Sequence, residues 1–583
     1  MDNKIVSDFI YETKYLQPGE TFEEGCARQA NALKDSDEHF RKYFDILFDK
    51  RFLPAGRVQV AVGSSRSTTP YNCFVSGTIE DSSSDILAKN TEAFETMRRG
   101  GGIGYDFSNL RPSGDRIASL DSRSCGPVGD HINTTGFMDM FDSTCSVVRS
   151  AGHRRGAQMG VLRIDHPDIR HFIHAKRTPG RLTNFNISVG VTDGFMDALE
   201  RDGKFDLKFG GRTYETVSAR NLWDEIMRST WDYAEPGVLF IDTINRKNNL
   251  RYCETISATN PCGEQPLPPY GACLLGSFNL TKYIVVDDSI EEYHLPKNVF
   301  DWEKFKNDIP YVVRAMDNVI DRAIYPLPQQ EREAKSKRRM GLGITGFANT
   351  IEILGHPYGG TGSLEFVREV LTVLRDSAYL SSVELAIEKG PFELFDREEY
   401  LAYPSFASKL PPHIKESIFH CGIRNSHLTS IAPTGSISLA AGNVSSGIEP
   451  PYTSGVYKRN VYAPDGSTRS FDLLDYAEFT YGVRGRTSDD VSLDDHLAVL
   501  AVCSGLVDSA VSKTCNVGPD VKFDGFKDIY MRAYNAGCSG ITTFRPVEYG
   551  GKRDGIMTKE KAAPSSNEGA ACFIDEFGNR TCD

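Results

Sequence analysis

Short runs rich in β-branched and aromatic residues alternate with longer helical patterns from about residue 51 to residue 545. NFNISVGV and SHLTSIA are examples of the short runs, and SSDILAKNTEAFETMRR is an example of the helical stretches. Strands that alternate with helices in this way are typical of parallel sheets whose strands are joined by crossover helices. No linker-like change of composition interrupts the span. The sequence therefore predicts one large α/β domain over residues 51–545.

The two ends of the chain differ from this central span. Residues 1–50 have apolar positions at a spacing of three to four with charges between them, which predicts a helical segment. Residues 546–583 are polar, rich in Gly, Ser and Lys, and lack core periodicity, which predicts a mobile tail. The tail contains Cys572 and Cys582, and thiols on a flexible terminus can reach a distant site.

Charge and hydropathy exclude several classes of protein. The formal net charge of −13 at pH 7 argues against a broad face for the phosphate backbone of a nucleic acid. There is no window of about 20 apolar residues, and the charged N-terminus lacks the apolar centre of a signal peptide. We therefore expect a cytoplasmic protein that binds neither nucleic acid nor a membrane.

The cysteines do not form a disulfide scaffold. There are 13 of them in 583 residues, and this number is both low for the length and odd. In a reducing compartment such cysteines are apolar fillers, metal ligands or redox catalysts. No CxxC occurs and no two cysteine pairs have zinc-finger spacing, so no metal site is predicted. Which cysteines are catalytic must be argued from their neighbours.

The segment NPCGEQPLPPYGAC, from Asn260 to Cys273, is the most informative stretch of the sequence. Its prolines and glycines preclude a helix and disfavour a regular strand, so it predicts a stiff loop. In an extended piece alternate residues face the same way, which would place Asn260, Cys262 and Glu264 side by side. An amide, a thiol and a carboxylate would then share one face. An ordinary surface loop with an incidental cysteine fits the same spacing.

The loop resembles the finger loop of ribonucleotide reductase catalytic subunits, and it is most similar to the class II, adenosylcobalamin-dependent group. The resemblance extends in chain order over roughly residues 50–545 and implies a ten-stranded α/β barrel of two parallel five-stranded halves around a central finger loop. The other matching strings are LPAGR (53–57), NCFV (72–75), GGGIGYDFSNLRP (100–112), AGHRRG (151–156), RRMGLG (338–343), APTGSIS (432–438), GIEP (447–450) and GCSGITTFR (537–545).

The resemblance implies a role for each of five residues. A thiyl radical can remove the 3′ hydrogen of a ribose because S–H and C–H bonds are similar in strength, and Cys262 would hold that radical in a site closed to water. Glu264 would act as general base on the 3′-hydroxyl, and Asn260 would orient the substrate hydroxyls. Cys73 and Cys273 would supply two reducing equivalents and close to a disulfide in each turnover.

The pairing of Cys73 with Cys273 depends on the fold. Cys73 lies in NCFV, which is predicted to be a strand, and Cys273 lies 200 residues further along the chain. Only a fold that docks this strand against the loop makes the two thiols a pair.

We interpret most of the other cysteines as small packed side chains, because their neighbours are mostly apolar or small. Cys572 and Cys582 have no core to lie in. They resemble the family's C-terminal shuttle pair, which reduces the active-site disulfide and is itself reduced by a thioredoxin-like protein, although their spacing is wider than is common in the family. Idle tail thiols are the alternative. The cysteines interpreted as packed are Cys26, Cys125, Cys145, Cys253, Cys421, Cys503, Cys515 and Cys538.

APTGSIS (432–438) follows an apolar strand and precedes a run that is compatible with a helix. The backbone N–H groups at a helix N-terminus bind anions through unpaired donors and the helix dipole. Thr434, Gly435, Ser436 and Ser438 are therefore candidates for binding the substrate phosphates. The same residues would also serve as a simple N-cap.

The resemblance also implies a second nucleotide site, which selects the base to be reduced by binding a deoxynucleotide or ATP effector. It would lie between two loops of the region 145–190, at about 150–160 and 176–186, and both loops contain glycine and basic residues. Solvated turns are the alternative.

We expect a homodimer because such loops usually lie at a subunit interface. No ATP cone is expected in the first 50 residues. The candidate effector cations are Arg154, Arg155, Lys176, Arg177 and Arg181.

The source of the radical separates the classes of this family. Class I subunits receive it through adjacent tyrosines near the C-terminus, whereas GITTFRPVEY has Phe544 and no Tyr-Tyr. The glycyl-radical string of class III is missing as well. The resemblance therefore implies adenosylcobalamin. A class I subunit with a metal-radical partner and a non-catalytic nucleotide-binding paralogue are the rival functions. Because Cys73, Cys262, Cys273, Asn260 and Glu264 occur together, the second rival is disfavoured.

Overall fold

The fold is described from a computed structural model of the 583-residue chain. The structure describes all residues except 118–121, 131–134, 151–153, 156, 293–294, 464–466, 519, 546–571, 575–579 and 583. Most of the predicted mobile tail lies outside the described residues, so that expectation stays a prediction. Among the described helices, none has the length and apolar character needed to cross a membrane.

The strands are short and follow one another along the whole chain. They are β1 Phe52–Pro54, β2 Cys73–Val75, β3 Gly102–Asp106, β4 Arg149–Ser150, β5 Arg154–Arg155, β6 Gln158–Arg163, β7 Phe185–Val191, β8 Lys204–Phe209, β9 Arg212–Ser218, β10 Gly237–Phe240, β11 Ala258–Thr259, β12 Pro266–Leu267, β13 Ala272–Cys273, β14 Leu275–Asn279, β15 Ile284–Glu292, β16 Leu295–Phe300, β17 Gly341–Thr345, β18 Tyr457–Tyr462, β19 Thr468–Leu473, β20 Thr514–Asn516, β21 Gly540–Phe544, β22 Cys572–Ile574 and β23 Arg580–Cys582.

Helices lie before the first strand and between many of the others. They are α1 Asn3–Ile10, α2 Phe22–Leu33, α3 Asp37–Phe48, α4 Gly56–Ala61, α5 Ser83–Arg98, α6 Phe137–Val147, α7 Ile169–His174, α8 Asp193–Glu200, α9 Ala219–Tyr233, α10 Ile241–Lys247, α11 Trp302–Arg322, α12 Pro328–Lys337, α13 Phe347–Ile353, α14 Thr361–Lys389, α15 Arg397–Tyr400, α16 Pro412–Cys421, α17 Gly435–Ala440, α18 Tyr476–Tyr481, α19 Leu493–Ser504 and α20 Phe523–Asn535.

Helix α11 shows why the helical stretches form where they do. Asp301 caps its N-terminus by accepting a hydrogen bond from the Lys304 amide at 3.0 Å, which satisfies one of the unpaired donors of the first turn. Phe305, Ile309 and Val312 recur at a spacing of three to four and are fully buried, so one face of the helix packs on the core. The helix lies against α14 and α3.

The largest sheet has eight strands in the order β13-β2-β3-β6-β7-β10-β21-β20. Its five central strands, from β2 to β10, are all parallel. β13 joins one edge antiparallel to β2, and β21 joins β10 antiparallel at the other side, with β20 parallel to β21. Parallel strands joined through helices confirm the α/β prediction at this level.

A second sheet, β1-β14-β17, pairs β14 with β17 in parallel and β1 antiparallel to β14. Two parallel bridges continue it, from Leu342 to Thr429 and from Ile431 to Val511. β14 follows β13 after one residue, Leu274, and β20 begins at Thr514, shortly after Val511. Two continuous segments of chain therefore belong to both sheets.

Candidate active site

A tight hairpin places the segment Asn260–Gln265 between the two sheets. β11 and β12 pair antiparallel on either side of it. The Asn260 amide donates to the Gln265 carbonyl at 3.1 Å, and the Gly263 amide donates to the Asn260 carbonyl at 3.1 Å. Gly263 has a φ of +81°, which glycine adopts without the steric penalty of a Cβ. The loop is therefore closed on itself by its own backbone.

This geometry differs from the extended segment expected from the sequence. The residues of the tip form a turn, so alternation along a strand does not place Asn260, Cys262 and Glu264 on one face. Pro261 and Gly263 favour the turn because proline fixes φ and glycine permits a positive φ. Asn260 and Glu264 are 0% and 2% exposed, whereas Cys262 is only partly buried. The hairpin thus buries the amide and the carboxylate and presents the thiol at the tip.

Hydrogen bonds from both sheets hold the hairpin. The Glu264 carbonyl accepts from the Ala510 amide at 3.0 Å and from the Ser430 hydroxyl at 2.9 Å, both on the side of the second sheet. On the side of the large sheet, Asn186 Nδ2 donates to the Pro261 carbonyl at 2.9 Å. A loop fixed at both ends loses little further entropy when it presents a side chain to a substrate.

Glycines in the neighbouring strands allow close packing around the hairpin. A Cβ at Gly104 would lie 1.9 Å from the Thr259 carbonyl oxygen, and a Cβ at Gly343 would lie 2.3 Å from that of Ser430. A Cβ at Gly341 would lie 2.4 Å from Gln265 Nε2. Gly104 and Gly343 are thus required by close approach of a neighbouring backbone, and Gly341 by close approach of the Gln265 side chain.

Cys73 and Cys273 lie directly opposite one another across the β2–β13 ladder, with 3% and 0% of each residue exposed. Burial raises the pKa of the Cys273 thiol well above its ordinary value, and the neighbouring Glu264, Cys73 and Cys262 raise it further. The three cysteines and the carboxylate therefore belong to one cluster. A thiol with such a pKa keeps its hydrogen near neutral pH.

Asn260 has a buried donor available within this cluster. Its Oδ1 accepts from the Gln265 amide at 3.0 Å, which fixes the orientation of the side chain. Its Nδ2 has no hydrogen-bond partner among the described residues. A buried donor without a partner costs free energy of about 1–3 kcal/mol, and a substrate hydroxyl would remove that cost.

A cleft opens beside Cys262, on the side away from Cys73 and Cys273. Its empty volume is about 1010 Å³, open solvent included. A Cβ at Gly263 would meet no atom within 4 Å, so the space beside the thiol is open. Small residues form much of the wall, among them Gly237, Ala510, Ser512 and Gly540.

The candidate phosphate residues lie at the start of α17. Thr434 is the N-cap residue, has a φ of +59° and forms no side-chain cap. Its hydroxyl instead contacts the Thr345 hydroxyl at 2.9 Å and accepts from the Gly447 amide at 2.7 Å. The Ser438 hydroxyl donates to the Gly435 carbonyl at 2.9 Å, and Ser436 is half-buried. The Thr434 hydroxyl therefore does not act as the simple N-cap that was the alternative.

The candidate effector cations belong to two loops, and those of the second loop contact other groups of the protein. Arg154 and Arg155 lie on β5, which pairs with β4; residues 151–153 and 156 of that loop lie outside the described residues. Lys176 pairs with Glu235 at 2.6 Å, and Arg181 pairs with Asp139 at 2.7 Å. Arg177 lies over the Tyr233 ring at 5.5 Å. The cations of the second loop thus contact protein groups.

The tail cysteines occupy opposite positions of a ladder. Cys572 on β22 is the register partner of Cys582 on β23, and β22 lies beside β7. The residues before and between these strands, 546–571 and 575–579, lie outside the described residues.

The packed-cysteine prediction is confirmed for Cys26, Cys145, Cys503, Cys515 and Cys538, which are buried. It is wrong for two others. Cys253 follows α10 and Cys421 ends α16, and both are exposed because the chain lies at the surface there. Cys125 is of intermediate exposure.

Two residues of this site were not predicted from the sequence. Asn186 holds the finger hairpin, and Glu235 lines the cleft beside Cys262. The signal for Asn186 was a polar residue inside the apolar run NFNISVGV. No sequence signal points to Glu235.

The family model "Ribonucleotide reductase, barrel domain" matches residues 71–472. The chain therefore belongs to the ribonucleotide reductase family, as the resemblance implied. It is 32% identical to the vitamin B12-dependent ribonucleoside-diphosphate reductase of Mycobacterium tuberculosis, over 99% of this chain and 82% of that protein. It is also 32% identical to the Thermoplasma acidophilum protein of the same name, over 90% and 67%. The ribonucleoside-diphosphate reductase large subunit of Vaccinia virus is 26% identical, over 72% and 57%.

Proposed function

We propose that the chain is the catalytic subunit of an adenosylcobalamin-dependent ribonucleotide reductase, which reduces ribonucleotides to 2′-deoxyribonucleotides by thiyl-radical chemistry. The observation that carries the proposal is the register of Cys73 with Cys273 in one cluster with Cys262 and Glu264. The names of the B12-dependent relatives support the same activity.

Each side chain has a step that its position suits. The Cys262 thiyl takes the 3′ hydrogen atom of the ribose, and the buried Glu264 carboxylate takes the proton of the 3′-hydroxyl. Asn260 Nδ2 orients a substrate hydroxyl. Cys73 and Cys273 provide two electrons and two protons as they close to a disulfide, and the 2′-hydroxyl leaves as water. The 3′ hydrogen atom then returns from Cys262, and Glu264 returns its proton to the 3′ oxygen.

The cleft beside Cys262 gives a cofactor access to the thiol. Its wall is built largely of small residues, and the space at Gly263, the residue after Cys262, is open. Gly237, Ser512 and Gly540 would hold the part of adenosylcobalamin that reaches Cys262. When bound, adenosylcobalamin supplies a carbon-centred radical by homolysis of its cobalt–carbon bond. The chain's own part is to hold the thiol at the edge of that space.

We propose further that the two sheets close into a ten-stranded barrel of two parallel five-stranded halves. The bridges Leu342–Thr429 and Ile431–Val511, and the segments shared by β13–β14 and by 511–516, support a closed ring. The antiparallel pairs β2–β13 and β10–β21 would then be the two junctions between the halves.

Phosphate binding by Thr434, Gly435, Ser436 and Ser438 is proposed at the start of α17. The Thr434 hydroxyl is engaged with Thr345 and Gly447, which leaves the first amides of the helix uncapped by that side chain. Such amides bind anions.

The specificity effector, a deoxynucleotide or ATP, is proposed to bind at the two basic loops. Arg154, Arg155 and Arg177 would contact its phosphates, and Lys176 and Arg181 would have to exchange Glu235 and Asp139 for them. A homodimer at this region is supported by exposed apolar residues on α5 and α6, which pack together beside β4. They are Leu87 at 56%, Phe94 at 36% and Val147 at 78% exposure.

Cys572 and Cys582 are proposed as the shuttle pair that accepts electrons from a thioredoxin-like protein. Opposite positions of an antiparallel ladder are about 4.5–5.5 Å apart between Cα atoms, within the range of about 4.4–6.8 Å for disulfides. The register of β22 with β23 supports a pair of cysteines despite their wide spacing in the sequence. Because this chemistry needs reduced thiols, it supports a cytoplasmic location.

A turnover assay tests the proposed function. The purified chain, with adenosylcobalamin, dithiothreitol and a ribonucleoside di- or triphosphate, is expected to form deoxynucleotide without a second protein. Cys262→Ser is the matched control and is expected to be inactive. A wild-type chain that turns over only with a metal-radical subunit would establish the class I rival, and no turnover under either condition would leave the non-catalytic paralogue.

A further inference from the structure

A buried ion pair lies between the candidate effector region and the cleft. Lys176, in the short helical turn Ala175–Arg177, contacts Glu235 at 2.6 Å, and their side chains are 8% and 12% exposed. Removing one partner of such a pair leaves a buried charge without compensation. The pair therefore holds the turn at 175–177 firmly against the segment that precedes β10.

Both partners of the pair also bind the first residues of β7. Lys176 Nζ donates to the Phe185 carbonyl at 2.5 Å, and Glu235 Oε1 accepts from the Ile187 amide at 3.1 Å. β10 begins only opposite Ser188, so the two side chains supply the hydrogen bonds that a neighbouring strand would otherwise make. The start of β7 is clamped by the ion pair.

Asn186 lies between Phe185 and Ile187, whose backbone groups make these two contacts, and its side chain reaches the candidate active site. Its Nδ2 donates to the carbonyl of Pro261, at 2.9 Å, and the next residue is Cys262. Asn186, Glu235 and Cys262 all line the same cleft. A continuous series of contacts thus runs from Lys176 through Glu235 and β7 to the residue before the radical thiol.

We propose that Lys176, Glu235 and Asn186 are positioning residues that act in series to fix the Cys262 thiol and to couple it to the segment 175–186. The inference deepens the proposed function and rests on it for the role of Cys262. Any rearrangement of the segment that draws Lys176 away from Glu235 would loosen the thiol's support. Such a rearrangement would change the rate of the chemical step and leave ribonucleotide affinity unchanged.

Alkylation of Cys262 and steady-state kinetics test this proposal. Lys176→Met and Asn186→Ala are each expected to raise the rate of Cys262 alkylation by iodoacetamide about 5-fold, measured by peptide mass spectrometry, because the tip loses its support. Each is expected to lower kcat about 10-fold with KM within about 2-fold, since a small misplacement of a reacting group costs rate. Glu235→Gln, which keeps the shape of the side chain, is expected to behave alike and gives the answer if Lys176→Met does not fold.

A double variant separates a serial arrangement from independent effects. If the residues act in series, Lys176→Met with Asn186→Ala is expected to be no worse than the more affected single variant, because the second change removes a contact that no longer acts. Lys335→Met is the matched control: its pair with Glu331 has the same 2.6 Å length but is 42% and 47% exposed, and wild-type values are expected.

Two results would overturn the inference. One is a wild-type alkylation rate and kcat in both Lys176→Met and Glu235→Gln; the other is a double variant whose losses multiply. Alkylation needs neither cofactor nor turnover. A wild-type chain that forms no deoxynucleotide therefore counts against the proposed function, while the alkylation rates still decide whether the three residues support the thiol.

Discussion

Two pairs of cysteines occupy the same kind of position in different parts of the molecule. Cys73 and Cys273 face each other across β2–β13, and Cys572 and Cys582 are register partners across β22–β23. The first ladder is part of the eight-stranded sheet, and the second is a sheet of two strands only. Antiparallel register makes the two cysteines of each pair backbone partners. The surroundings of each ladder decide which molecules can reach the pair.

The burial of the first pair has a chemical consequence. An exogenous protein cannot contact thiols that are 3% and 0% exposed, so electrons must come from a smaller molecule or from another segment of the same chain. β22 lies beside β7, whose first residues line the cleft. We therefore predict separate roles for the two pairs. Cys73 and Cys273 reduce the substrate, and Cys572 and Cys582 exchange electrons with a partner protein.

The largest expected effect comes from the buried pair. Cys273→Ser should abolish multiple turnover with either dithiothreitol or a thioredoxin-like reductant, because no disulfide can close and the substrate receives no second electron. Deoxynucleotide formation is measured by chromatography, and a loss of at least about 1,000-fold is expected, comparable to removing a residue of a catalytic unit. Sustained turnover with either reductant would remove Cys273 from the mechanism.

A smaller effect is expected from the backbone that supports the buried pair. Gly104→Ala places a methyl group 1.9 Å from the Thr259 carbonyl oxygen and should displace the finger hairpin from Cys73, with a loss of kcat of about 100-fold. Gly194→Ala in α8, where a Cβ meets nothing within 4 Å, is the matched control and should leave kcat unchanged. Equal kcat values for the two variants would contradict the close-approach explanation.

The tail pair should affect one reductant only. Cys572→Ser is expected to lower turnover with a thioredoxin-like protein by about 10-fold or more, because electrons no longer reach the buried disulfide by exchange. With dithiothreitol the rate should stay near that of the wild type. A variant that loses both activities equally would show that the two pairs are not divided in this way.

The smallest effect concerns how the free energy of unfolding depends on pH through one buried thiol, that of Cys515. Burial raises the pKa of Cys515 to about 12, whereas an unfolded cysteine titrates at about 8.5. Its contribution to stability is therefore complete below about pH 8.5 and is lost as pH rises towards 12. Cys515→Ala should flatten the decline of unfolding free energy above pH 8.5 by about 1.4 kcal/mol per pH unit, as measured by denaturant titration.

Val499→Ala is the control for that measurement. Val499 is also fully buried, so its truncation should lower the unfolding free energy, by about 0.5–3 kcal/mol, without changing the dependence on pH. If both variants keep the wild-type slope, the Cys515 thiol does not contribute to the linkage.

The sequence predicts the parts of the molecule that follow from local pattern. The α/β alternation and the face of helices such as α11 depend on periodicity, and periodicity is visible without a structure. Cys262, Glu264 and Asn260 lie within five residues of one another, so one short string indicates them together. The family resemblance also indicates Cys73 and Cys273 as a redox pair, but the residues alone do not show that the fold brings them together.

Contacts between distant segments could not be predicted in the same way. That Cys73 lies opposite Cys273 depends on how β13 docks on β2, and a one-residue slip would place the thiols on opposite faces. Lys176 and Arg181 look like available cations in the sequence, but Glu235 and Asp139 neutralise them. The sequence predicts an extended tip of the finger loop, because its two closing hydrogen bonds are not apparent from spacing alone. They run from the Gly263 amide to the Asn260 carbonyl and from the Asn260 amide to the Gln265 carbonyl.

The single residue between β13 and β14 has a consequence for how this protein can change. Leu274 alone separates Cys273 from β14, the strand that pairs with β17. The length of this link therefore fixes two directions at once: the side to which the Cys273 thiol points and the side to which the side chains of β14 point. An insertion of one residue there would turn either the Cys273 thiol or the side chains of β14 to the opposite face. Insertions and deletions should therefore be rejected at this link, because adding or removing one residue of any kind shifts the alternation of side chains.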